Sequence, residues 1–104
     1  MTIQQSSGNV FEDLGFDEPE AANLQVRSFL MRHISQWIKD NNLTQQKAGD
    51  ALHVSQSRIS DLMTGKINKF TTDKLMWIMT QTGKKLVPSN NGLKIEPTKK
   101  MSVA

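Results

Sequence analysis

The chain has 104 residues, with four Phe, two Trp, no Tyr and no Cys, and 37% of its residues are hydrophobic. That suits one small domain with tails and a modest core, and it excludes disulfides and thiolate metal sites. The net charge of +3 is unevenly spread: residues 1–20 hold five acids and no Lys or Arg, while residues 21–104 hold thirteen bases against five acids, which suggests a body that meets phosphates and an acidic arm that meets something else.

Residues 1–9 are polar and read as an unstructured leader. Val10, Phe11 and Leu14 share a face if Val10–Phe16 forms a helical turn, which is too short to stand alone and must dock somewhere. Asp17-Glu18-Pro19-Glu20 is a helix start, with a cap, a first-turn Pro and carboxylates at the positive end of the dipole. That helix runs to about Asp40, with Val26, Phe29, Leu30, Ile34, Trp37 and Ile38 at three- and four-residue spacing. Two short helices follow, capped by Thr44 and Ser55, with Leu43, Ala48, Leu52, Val54, Ile59, Leu62 and Met63 turned inward. Phe70 enters the core, Thr71 caps a last helix carrying Leu75, Ile78 and Met79, and Gly83 stops it. Lys85–Val87 then reads as a short strand, Asn90-Asn91-Gly92 as a turn and Leu93–Ile95 as a returning strand. Pro97–Ala104 is a loose tail.

At 100° per residue, Ile59, Leu62 and Met63 cluster on one side of the second short helix. Ser57, Asp61 and Thr64 lie opposite, with Gln56 and Arg58 on the flanks of the first turn. A face of hydrogen-bonding side chains is poor for catalysis and suited to base edges. No Ser-His-acid spacing or glycine-rich phosphate loop is present, so no enzyme activity, catalytic residue or cofactor is expected. His33 and His53 lie in different elements without a third ligand at helical spacing, so no metal is expected either.

These residues resemble the Cro/repressor-like (XRE) helix-turn-helix proteins. The carriers are Leu43-Thr44-Gln45 with Ala48, the run Val54-Ser55-Gln56-Ser57 with Ile59, Ser60 and Leu62, then Gly65-Lys66, and the likeness spans roughly residues 30–87. It implies an all-α, lambda-repressor-like bundle of four to five helices with a short C-terminal strand, whose second short helix enters the major groove of DNA. Two departures stand out. The turn has His53 where the family usually has Gly, at a place expected to need φ > 0. Gly49 sits inside a helix, at a cost of about 1 kcal/mol against Ala.

Within that frame Gln56, Ser57, Arg58 and Ser60 are the expected base readers. Gln45, Ser55, Lys66, Asn68 and Lys69 are the expected phosphate contacts, the first two at helix N-termini. Ser55 is a cap in either case. Asp61 either accepts from a cytosine or pairs with a neighbouring base such as Arg58. Met76 and Trp77 exceed what the last helix can turn inward, so with Leu86 and Val87 they are assigned to a homodimer interface.

The expected partner is a double-stranded, palindromic DNA operator. Leader and size resemble HigA-type antitoxins, which implies a toxin of ribonuclease type as a second partner. Val10, Phe11, Leu14 and Phe16 either bind that partner or pack on the chain's own helices. The organisation expected is an arm over 1–16, a DNA-binding domain over 17–83 and a strand with tail over 84–104. Alternatives are a stand-alone phage-type repressor and a protein-interaction adaptor without a DNA role. No run approaches a membrane span and no signal pattern opens the chain, so a soluble cytoplasmic protein is expected.

Overall fold

The computed structural model describes residues 10–90 and 92–98; the expected leader over 1–9 and the end of the tail lie outside them. After a single turn, α1 (Val10–Asp13), the long helix α2 (Glu18–Asp40) begins where Asp17 accepts the Glu20 N–H at 3.0 Å. Pro19 occupies its first turn, where a missing N–H has no helical partner to lose. It ends as the Asn41 side chain donates to the Trp37 carbonyl at 2.8 Å and Asn42 turns to φ 55°. Leu30, Ile34 and Ile38 are fully buried, and Val26 and Trp37 pack against them. Phe29 instead stays half-buried, its ring 4.5 Å from that of His33. Leu24 and Met31, which the spacing did not single out, are buried as well, and α2 packs against α1, the second short helix and the last helix.

Helices α3 (Gln45–Leu52) and α4 (Gln56–Met63) are each capped as expected: Thr44 accepts the Lys47 N–H at 3.1 Å and Ser55 the Arg58 N–H at 3.2 Å. Between them His53 adopts φ 61° and ψ 40°, the left-handed conformation the turn demands. The N–H groups of His53 and Val54 both turn back to the Gly49 carbonyl. The expectation for Gly49 needs correcting. A Cβ there would stand 2.6 Å from the Val54 carbonyl oxygen, so the turn folds onto α3 only because residue 49 has no side chain. Its helix-propensity cost is therefore the condition of the tight turn rather than a bare departure from the pattern.

A 3-10 turn (Ile67–Lys69) leads to α5 (Thr72–Gln81), which Thr71 caps by accepting the Lys74 N–H at 3.1 Å. Arg27 clamps this connection from α2. Its Nη1 donates to the Ile67 and Phe70 carbonyls at 3.1 and 3.0 Å, and its Nε to Asn23 Oδ1 at 2.7 Å. The Ile67 carbonyl also accepts the Phe70 N–H at 3.3 Å within the 3-10 turn, so the charged Arg27 donor adds to that bond and ties the connection to α2. The core gathers Leu30, Ile34, Leu52, Ile59, Leu75 and Ile78 from all four longer helices.

Gly83 turns the chain at φ 88° into an antiparallel hairpin of β1 (Lys84–Ser89) and β2 (Gly92–Pro97), the strand and returning strand expected. Leu86 pairs with Ile95, and both lean on the helical core. Thr98 N–H donates to the Gly83 carbonyl at 2.9 Å, one step beyond the Lys84↔Pro97 pair. Bonded and non-bonded pairs alternate, so Pro88 and Pro97 both fall at positions whose nitrogen faces away from the partner strand. Each proline removes one donor from an outer edge, a device that blunts edge pairing.

Candidate nucleic-acid interface

Helix α4 buries Ile59 and Leu62 and leaves Gln56, Ser57 and Arg58 exposed in its first turn. These are the residues that a helix end lowered into a groove presents first. Ser57 Oγ lies 3.2 Å from Ser55 Oγ, so the capping hydroxyl has a polar neighbour on its outer side. Ser60 is only half-exposed, and its carbonyl accepts the Thr64 hydroxyl at 2.8 Å. Asp61 pairs with Arg58, one of the two roles open to it from the sequence: Arg58 Nη1 stands 3.0 Å from its Oδ2. Lys66 Nζ is 3.8 Å from its other oxygen, so this expected phosphate contact leans toward a carboxylate.

The starts of α4 and α5 flank a cleft of about 500 Å3 lined by His53, Ser55, Arg58, Lys69, Thr71 and Lys74. It joins three cationic side chains to the N-terminal ends of two helices, where unpaired N–H groups and the dipole favour an anion. Three of the expected residues meet there: Ser55, Arg58 and Lys69. Lys74 and Thr71 were missed. Three-residue spacing from a capping Thr was the available signal, since it sets a lysine in the first turn of α5 beside its own cap. The Lys74 ammonium also lies 4.5 Å from the centroid of the Trp77 ring. Asn68 is turned to a neighbouring hollow with Asn23 and Arg27, and Gln45 stands apart from both at the start of α3.

Of the residues assigned to a dimer, Met76 and Trp77 are exposed on α5, and the Trp77 ring meets that of His53 edge-on at 6.5 Å. Leu86 is directed to the chain's own core, whereas Val87 alternates to the other face of the hairpin. In the arm, Phe11 is half-buried and lines a groove with Met31, Arg32, Lys39 and Met63, and its ring meets Phe16 edge-on at 6.4 Å. Val10, Phe16 and Leu14 are exposed, Leu14 to 68%. Phe11 therefore packs on the chain itself, and the other three leave an apolar surface outside.

No helix among the described residues is long and apolar enough to cross a membrane. No curated protein matches the chain. Residues 10–87, from α1 into β1, match the family model of a helix-turn-helix domain.

Proposed function

Because the chain belongs to the helix-turn-helix domain family, whose members bind DNA, we propose that it is a sequence-specific transcriptional regulator acting as a homodimer on a palindromic operator. The observation that carries this is the first turn of α4, where Gln56, Ser57 and Arg58 stand exposed beside the cleft of Arg58, Lys69 and Lys74. Gln and Arg reach adenine and guanine in bidentate fashion, while Lys69, Lys74 and the helix ends take the flanking phosphates. One such helix buries too little surface for specific affinity, so two copies share the site. Met76, Trp77 and Val87 supply the apolar surface for that contact.

Within this class the reading is an antitoxin that represses its own operon and neutralises a toxin of ribonuclease type. Its support is the arm: exposed Val10, Leu14 and Phe16 lie next to Glu12 and Asp13, an apolar and acidic surface complementary to a basic, RNA-binding partner. Selection from a randomised duplex library tests the DNA half, with half-sites expected about one helical turn, roughly 34 Å, apart. Failure to enrich any sequence contradicts it. Co-expression with the product of a neighbouring ribonuclease-type reading frame tests the other half. Deleting residues 1–16 should abolish rescue from that toxin while leaving operator binding in place.

A further inference from the structure

Asp61 is the single acid of α4, on the face that meets DNA in the reading above. A carboxylate facing phosphates opposes binding, so its presence calls for a compensating role. Its side chain is 19% exposed against 46% for Arg58, so within the pair Asp61 is the more enclosed member and Arg58 the more exposed one. The Asp61 backbone is held too: its carbonyl accepts the Lys66 N–H at 2.9 Å and the Thr64 hydroxyl at 3.3 Å. Arg58 uses only Nη1 on the carboxylate. Its Nε–H and Nη2 hydrogens stay available for the N7 and O6 of a guanine, the pairing a planar fork suits best. An arginine without such a tether must be ordered on binding, and it can swing to the phosphates instead.

We propose that Asp61 is a positioning residue for sequence discrimination: it holds Arg58 toward a guanine edge and away from the phosphates, with Lys66 steadying its second oxygen. The proposal rests on the DNA-binding reading and deepens it. It trades general affinity for selectivity, because the same carboxylate that aims the guanidinium repels the DNA backbone.

The test uses the full chain and an operator selected from random duplexes, with binding measured to that operator, to every single-base substitution of it and to an unrelated duplex. Asp61→Asn should tighten binding to the unrelated duplex and lower discrimination at one G·C pair by about tenfold. The discrimination lost should be the same that Arg58→Ala loses, and Asp61→Asn added to Arg58→Ala should change discrimination no further. Should Asp61→Asn lower the melting temperature, Asp61→Glu, which restores the charge, should recover selectivity. Unchanged discrimination in Asp61→Asn, or equal and additive losses in the double variant, would overturn the proposal and leave the pair a solvated ion pair of little consequence. If no operator is enriched, it is the regulator reading that fails, and the proposal falls with it.

Discussion

The recognition unit and the N-terminal arm expose opposite kinds of surface, and they are built in opposite ways. Around α4 the exposed groups are polar and each rests on a fixed frame: Ser55 caps the helix, Gly49 admits the turn, Arg27 clamps the connection behind it. In and just after α1, the apolar Val10, Leu14 and Phe16 stand exposed beside the acids Glu12 and Asp13, held by one helical turn and one half-buried ring. Reading bases requires donors and acceptors placed to within a fraction of an ångström. Covering an apolar patch requires only area, and a short element can still adapt as it docks. In the proposed function the contrast would serve two partners, a rigid polar one at α4 and one that covers the apolar arm.

Stability measurements sharpen this comparison first. Ile59→Ala should cost about 2–5 kcal/mol in denaturant unfolding, because it opens a cavity under the recognition helix. Leu14→Ala should stay within about 0.5 kcal/mol, as an exposed position does. Similar losses at both sites would mean that the arm is part of the core, which would remove its role in partner binding. Gly49→Ala comes next: a methyl aimed at the Val54 carbonyl should destabilise by about 1–3 kcal/mol, despite the better helix propensity of Ala. A stabilised variant in a thermal melt would show that the turn does not depend on that close approach. In binding, Arg58→Ala should cost about 1–3 kcal/mol on the selected operator and relax preference at one base pair; an equal loss on all duplexes would make Arg58 a phosphate contact. The smallest effect is at His53. Its left-handed conformation favours Gly, but the ring also meets Trp77 edge-on, so His53→Gly should leave the melting temperature unchanged or slightly raised. A clear fall would mean that the ring contact outweighs the backbone strain.

The elements that were legible in the sequence are those decided by near neighbours. The caps at Asp17, Thr44, Ser55 and Thr71 each join a side chain to an N–H three residues on, and all four form. The αL conformation at His53 is implied by the resemblance, since the family usually has Gly at that place in the turn. The hairpin followed from Asn90-Asn91-Gly92 between two short apolar runs. What stayed hidden depends on long-range approach. Arg27 meets carbonyls forty and forty-three residues away. The reason for Gly49 is an oxygen across the turn, and Lys74 becomes part of the candidate site only because α5 begins beside α4. Leu86 looked available for a partner until the hairpin folded it onto the core. Composition marks a surface as apolar or acidic, but the identity of its partner is not written in it.

The central claim is that the face formed by the first turn of α4 and the adjoining cleft binds DNA. Its most direct test is the salt dependence of the dissociation constant for the selected operator, compared among the wild-type chain, Lys69→Ala and Lys74→Ala. The account predicts that affinity falls steeply and linearly on logarithmic axes as salt rises. Each lysine variant should flatten that slope by about one while leaving sequence preference unchanged. Slopes indistinguishable from that of the wild type in both variants would contradict the assignment of this cleft to the DNA backbone.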